Sequence, residues 1–265
     1  MLDATILVLR EVLEAALFIS LLLALGAQFN LRWHWERLAI PLGLVASWLL
    51  SHFALDVAMA FDGIGQELAN AGLLIVAIVS FIALATLLAP TLRQSDNKES
   101  LHGTIFFACC IVIVAASMAR EGSEVWIYYS SYSDSPSAMS SALMGGLIGT
   151  GIGLSLCALV YYAFAFMSRR AFIGVFFVIA ALVVGGLSMQ LAKLGLQTGL
   201  LDSGPPVWDT NGLVNERSWT GQFLHALFGY DANPDRIQVG FYFGTLLVLL
   251  AGIGIRLLPQ GVRRA

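Results

Sequence analysis

Arg10-Glu11-Val12-Leu13-Glu14 decides how this chain is read. The pentad lies inside an otherwise apolar run from Leu2 to Leu25, long enough to cross a bilayer. Ionisable side chains at membrane depth cost about 3 kcal/mol each on insertion scales. The chain carries that cost a second time. Arg120-Glu121-Gly122-Ser123-Glu124 sits in the apolar run from Thr104 to about Tyr128. Both pentads follow the pattern Arg-Glu-x-x-Glu, about 110 residues apart. The rest of the chain reads as a scaffold that brings them together.

Composition agrees. Of 265 residues, 58% are hydrophobic and 12% charged, and the mean hydropathy is +0.81. Soluble chains carry about 25% charged residues. A single polytopic membrane domain over residues 1–265 follows. The net charge of -3 comes without a basic tract, which excludes nucleic acid as a partner. Cys109, Cys110 and Cys157 all fall in apolar runs and read as small buried side chains rather than a disulfide or metal set. Met1-Leu2-Asp3 has no positive n-region, and the pentad breaks the apolar run, so the reading expects no cleaved signal peptide.

The predicted fold is an all-α integral membrane protein with seven transmembrane helices. The spans fall at about 2–25, 38–60, 70–90, 104–128, 139–167, 171–195 and 238–257. Arg32 and Arg37 follow span 1, Arg93 and Lys98 follow span 3, and Arg169 and Arg170 follow span 5. Arg256, Arg263 and Arg264 close the chain. The loops after spans 2 and 4 contain neither Lys nor Arg, but carry Asp62, Glu67 and Asp134. The long segment after span 6, with Lys193 at its start, is acid-rich on balance. The positive-inside rule then places the N-terminus outside. Trp33 and Trp35 at one end of span 1, and Trp126, Tyr128 and Tyr129 at the end of span 4, read as interfacial belts.

Spans 1 and 4 each open a group of three. Three is odd, so the second group enters from the opposite side. That predicts an inverted 3+3 repeat, residues about 1–90 and about 104–195, with the site at the repeat interface. An extracytoplasmic segment of about 196–237 and one additional C-terminal helix lie outside it. Gly145, Gly146, Gly149, Gly151 and Gly153 in span 5, and Gly185 and Gly186 in span 6, predict close helix packing.

On a helix, positions three and four apart share a face. Glu11 and Glu14 project together, as do Glu121 and Glu124. Arg10 is expected to reach Glu14, and Arg120 to reach Glu124. Packed side by side, spans 1 and 4 bring four carboxylates together, a formal charge of -4 offset to -2 by the two arginines. Such a cage of oxygens suits a hard cation: iron, manganese, calcium or magnesium. The bland alternative is two internal salt bridges. It leaves Glu11 and Glu121 unpaired, and an unpaired buried carboxylate takes a proton or needs another cation. Proton carriage by the same glutamates competes with metal binding. Asp56, in the outer half of span 2, is either a ligand or relay group or an interfacial acid in water. His52, one turn before it, reads as a hydrogen-bonded helix residue. Glu67 reads first as a solvated acid at a helix start.

The paired motifs, in the first and fourth of seven spans, resemble the oxidase-dependent iron permease family, which includes the fungal high-affinity and bacterial EfeU-type permeases. The family motif is usually Arg-Glu-Gly-Leu-Glu. Val12 replaces its glycine in span 1 and Ser123 its leucine in span 4, while every charged position is kept. Gly63-Ile64-Gly65-Gln66-Glu67-Leu68 resembles the family's Gly-x-Gly-Gln-Glu-Leu. Gly221-Gln222-Phe223-Leu224-His225-Ala226-Leu227-Phe228-Gly229-Tyr230 resembles its segment before the last span. The resemblance implies iron import across the cytoplasmic (inner) membrane by a multi-pass permease. It implies Glu11, Glu14, Glu121 and Glu124 as iron ligands and Arg10 and Arg120 as their charge partners, and it raises Glu67 above a solvated acid. Asp56 and Glu67 are the further pathway candidates. Iron is cargo, and no permanently bound cofactor is expected.

No P-loop, haem-attachment or copper motif occurs in the sequence. Oxidation of ferrous iron then falls to a partner, expected to be a separate periplasmic ferroxidase, cupredoxin or iron-binding protein. The rivals are the same scaffold moving manganese or lead, a membrane oxidoreductase with a carboxylate-bound metal, and a non-transporting sensor. Di-iron bundles pair carboxylates with Glu-x-x-His motifs. His34, His52, His102 and His225 do not sit at that spacing from a glutamate.

Overall fold

A computed structural model of the chain describes residues 1–31, 34–93, 103–216, 218, 220–221, 224–225 and 229–258. Arg32, Trp33, Lys98, His102, Arg217, Arg263 and Arg264 lie outside the described residues, as do Gln222, Phe223, Ala226, Leu227 and Phe228 of the family-like segment. The described chain is all-helical, 81% helix with no strand. Its helices are α1 Leu2–Phe29, α2 Glu36–His52, α3 Ala54–Met59, α4 Gly65–Leu88, α5 Thr104–Ser130, α6 Pro136–Ala165, α7 Arg169–Gln197 and α8 Arg236–Leu257.

Local chemistry sets several of these ends. Asn30 ends α1 in the left-handed conformation, φ 51°. Pro136 starts α6 in its first turn, where the missing N–H is no loss. Ser168 caps α7 by accepting from the Ala171 N–H. Asp235 and Gln238 close a capping box on α8.

Among the described residues, five helices (α4 to α8) are long and apolar enough to cross a membrane, or six if the bent pair α2–α3 is one span. This is a multi-pass membrane protein. The helix α1, with 28 residues, is about 42 Å long at 1.5 Å per residue. Span 2 is not the continuous helix expected over 38–60. It breaks at Phe53 with a bend of 63°. Beyond the break the chain turns back on itself. Phe61 and Asp62 adopt left-handed backbone and Gly63 has φ +95°, while a Cβ on Gly65 would sit 1.8 Å from the Val57 carbonyl oxygen. The turn into α4 folds back onto α3 and needs glycine at both points.

Side-chain contacts give the helix directions. Gly145, Gly149 and Gly153 of α6 meet Met1, Thr5 and Val12 of α1 in rising order, so these two helices run parallel. At their far end Gln28 Nε2 donates to the Phe164, Ala165 and Met167 carbonyls. Gly43 and Ser47 of α2 meet Met118 and Gly122 of α5, a second parallel pair. Where α1 crosses α5, Arg10 approaches Glu124 and Glu14 approaches Arg120, so that pair is antiparallel. The glycine contacts are close: added Cβ atoms at Gly145 and Gly149 would lie 2.4 and 2.6 Å from backbone oxygens of α1. The expected tight packing is present, except at Gly151, which meets nothing within 4 Å.

The apolar core fills one end of the bundle. It joins Leu21, Leu22, Leu25 and Phe29 of α1 with Phe81, Leu84 and Leu88 of α4, Cys110 and Ile113 of α5, and Phe172, Phe176 and Val184 of α7. Trp35 is buried in this core rather than interfacial. The cysteines are unpaired. The pentads lie at the other end, toward the start of α1 and the close of α5.

Candidate functional site

The crossing of α1 and α5 brings both pentads together. Glu11 is 2% exposed, Glu14 7% and Glu121 2%. Glu124 and Arg10 stay partly open to the cavity above. Glu11, Glu121 and Glu124 each present an oxygen, and the three oxygens lie within 4.8 Å of one another. Three carboxylates that close, two of them buried, repel unless a cation or protons intervene.

The pairing differs from the intrahelical scheme. Arg10 does not reach Glu14; its guanidinium holds its neighbour Glu11 and stands 3.9 Å from Glu124. Arg120 does not reach Glu124; it contacts Glu121 and donates across the interface to Glu14 at 3.0 Å. The helix crossing explains this. The antiparallel partner places an opposite charge nearer than the next turn does. Glu14 is thereby drawn out of the carboxylate cluster, so three acids converge rather than four. Neither oxygen of Glu121 receives a hydrogen bond of ordinary geometry. Among the described residues its charge is met only by the Arg120 ion pair.

Two cavities flank the cluster. One, of about 190 Å³, has Arg10, Glu11 and Glu14 of α1 and Arg120 and Glu124 of α5 in one wall. The facing wall carries Asn70 of α4, Gln190, Lys193 and Gln197 of α7, and His225 of the segment before α8. The other, of about 370 Å³, lies between α1, α2, α5 and α6, and is apolar except where Glu11, Glu121, Ser47, Thr150 and Tyr129 reach it. Glu11 lines both. A third cavity, about 340 Å³ and apolar, sits between α7, α8 and the preceding segment, away from the carboxylates.

The facing wall was missed in the sequence. Lys193 lies within α7, not in the segment after it. Gln190, Lys193 and Gln197 are spaced three and four apart, one helical stripe. That polar stripe in an otherwise apolar span was the available signal. The Gln190 Oε1 is buried without a donor. His225 Nδ1 lies 2.7 Å from the Tyr230 carbonyl. A carbonyl only accepts, so Nδ1 carries the proton and Nε2 of the neutral ring keeps a lone pair.

Asp56 sits exposed on α3, outside both carboxylate cavities. His52 is separated from it by the break, and stacks on Trp48 at 5.2 Å rather than filling a helix hydrogen-bonding role. Glu67 is half-buried in the first turn of α4, one turn before Asn70 on the same side, beyond the cavity wall. Comparisons with protein-family models, with curated proteins and with solved structures found no match.

Proposed function

We propose that this chain is a permease that imports iron across the cytoplasmic membrane, with Glu11, Glu121 and Glu124 as the ion's carboxylate ligands. The observation that carries the reading is the approach of three carboxylate oxygens within 4.8 Å at the junction of two charged membrane helices. A hard cation resolves their repulsion, and ferric or ferrous iron is such a cation. Glu14 acts through Arg120, holding that guanidinium between the two helices. The resemblance of both Arg-Glu-x-x-Glu pentads to those of iron permeases selects iron among hard cations. The all-oxygen cluster by itself favours manganese equally, and that is the second reading.

Seven spans, with α1 as the first and the N-terminus outside, form part of the proposal. Two features support an inverted repeat. The first helix of each group packs parallel to the second helix of the other, and the two first helices cross antiparallel. The polar cavity lies between the start of α4 and the end of α7, while Leu84, Leu88, Phe172 and Phe176 close the opposite end. This is how an outward-open, inward-closed carrier is built. A separate extracytoplasmic ferroxidase, cupredoxin or iron-binding protein supplies the ion.

The test is radio-iron uptake by iron-starved cells without importers of their own, expressing the chain with a ferroxidase. Wild type accumulates iron, and Glu11→Gln and Glu124→Gln, present in the membrane at equal levels, do not. No uptake by wild type from ferrous or ferric supply overturns the iron reading. Uptake of manganese but not iron selects the second reading.

A further inference from the structure

The function proposed above leaves one charged side chain of the cavity without a role. Arg10 and Arg120 are each spent on carboxylates. Lys193 is not. It is half-buried, it lines the same cavity as Glu11, Glu14 and Glu124, and no carboxylate among the described residues stands within 4.0 Å of its nitrogen. A site that admits cations gains nothing from a like charge in its wall unless that charge does something for the site. A structural lysine would close an ion pair or point to water beyond the helix end. This one lies a turn inside α7 and shares its stripe with Gln190, whose oxygen lacks a donor.

We propose that Lys193 is a specificity-determining residue, a tethered cation that competes with the cargo for the Glu11–Glu121–Glu124 carboxylates. The inference rests on the cation-site reading above. The cavity wall carries Glu11, Glu14 and Glu124 with Arg10, Arg120 and Lys193; with Glu121 of the same cluster counted, four acids against three cations leave a formal charge of -1, where the two arginines alone leave -2. Lysine is a compact charge on a flexible four-carbon stem. Its ammonium offsets the carboxylate field while the site is vacant and swings away when an ion of higher charge density enters. A weakly held divalent ion such as calcium or magnesium does not displace it; a trivalent or strongly coordinating ion does. The same repulsion loosens the bound cargo and speeds its release.

The probe is terbium(III), a hard, oxygen-seeking trivalent ion, bound to the full chain in lipid nanodiscs. Its luminescence is sensitised by Trp126 and Tyr129, which line the neighbouring cavity with Glu11 and Glu121. Wild type binds terbium and resists displacement by millimolar calcium. In Lys193→Met, removing one unit of repulsion in a partly buried site tightens terbium binding at least about tenfold, and calcium now competes. Lys193→Arg restores wild-type affinity and resistance, which a role in packing alone does not predict. If wild type binds terbium and Lys193→Met binds it equally or more weakly, with unchanged calcium competition, the inference falls while the cation site stands. If wild type binds no terbium, and Glu124→Gln is indistinguishable from it, both fall together.

Discussion

The two pentads share their charged residues and differ in what surrounds them. Arg10 stands at the edge of the cavity, 42% exposed, and its partners are its own neighbour Glu11 and, at 3.9 Å, Glu124. Arg120 is 13% exposed and ties Glu121 to Glu14 across the helix crossing. One arginine lines the open edge of the cavity; the other is a rivet between the two charged helices. Steric surroundings differ in the same way. The third position is Val12 in α1 and Gly122 in α5. Val12 faces Gly153 of α6, where an added Cβ would lie 2.6 Å from the valine Cγ1. Gly122 faces Ser47 of α2, where an added Cβ would lie 2.4 Å from the serine Oγ. Each contact needs one glycine, and the two pairs place it on opposite partners. Val12 therefore does not hold its neighbour off: Gly153 gives up the space that Val12 takes.

The largest expected effect separates the two arginines. Arg120→Gln leaves Glu14 and Glu121 buried without a counter-charge, which costs about 3–5 kcal/mol. Arg10→Gln takes the ion pair from Glu11, itself buried, but this guanidinium is 42% exposed and screened by water, so the cost is smaller, about 1–3 kcal/mol. Thermal unfolding in nanodiscs reads the difference. Equal losses would break the distinction between cavity edge and rivet. Next come the carboxylates. Glu124→Gln weakens cation binding roughly a hundredfold, near 2.7 kcal/mol, with little change in unfolding. Glu14→Gln reverses the pattern, losing mainly stability, because its partner is Arg120 rather than the ion. If Glu14→Gln abolishes binding in a fully stable protein, four carboxylates hold the ion and the three-acid cluster is incomplete.

A smaller effect tests the exchanged glycines. Gly122→Ala and Gly153→Ala each overpack a helix contact by one methyl, and cost about 1–3 kcal/mol. Val12→Gly in the Gly153→Ala background removes the opposing side chain and recovers most of that loss. Val12→Gly in the Gly122→Ala background does not, since that contact lies on the other helix pair. Neighbouring residues couple and distant ones add. Recovery in both backgrounds would mean that general helix loosening, not the local contact, decides the outcome.

How far the sequence discloses this follows from the range of the forces involved. Charge within an apolar run is visible locally, because the bilayer cost of each pentad needs no partner to be recognised. The helices follow from the same runs. The pairing of the charges is not local. Arg10 and Arg120 each take one partner from their own helix and one from the crossing helix, and the intrahelical spacing that predicts Arg10–Glu14 says nothing about which helix crosses or in which direction. The break at Phe53 likewise falls inside a run that reads as one continuous span. The wall formed by Asn70, Gln190 and Lys193 was legible only in part. Its stripe on α7 has helical spacing, but each residue alone resembles the polar end of a span. Asp56 is placed by the same bend: it lies exposed on α3, outside both carboxylate cavities, which the apolar run alone does not disclose.

The smallest expected effect concerns the segment that brings His225 to the cavity. Asp235 fastens it, accepting from the Gly204 N–H across the segment and from the Ile237 N–H at 3.1 Å in the first turn of α8. Those backbone donors, Gly204 first, hold its carboxyl below the ordinary aspartate range. A folded-state pKa lowered in this way stabilises the protein above the unfolded value, near 3.9, and the contribution is lost as pH falls through the folded value. Residues 198–235 are thus expected to be cleaved faster by an acid-active protease as pH drops from about 5 to about 3. Asp235→Asn has no such titration, and its cleavage rate is expected to stay flat over the same interval. A wild-type rate that is equally flat would mean that the chain's path into α8, rather than the Asp235 carboxylate, holds His225 at the cavity, and only the pentads would then be anchored by charge.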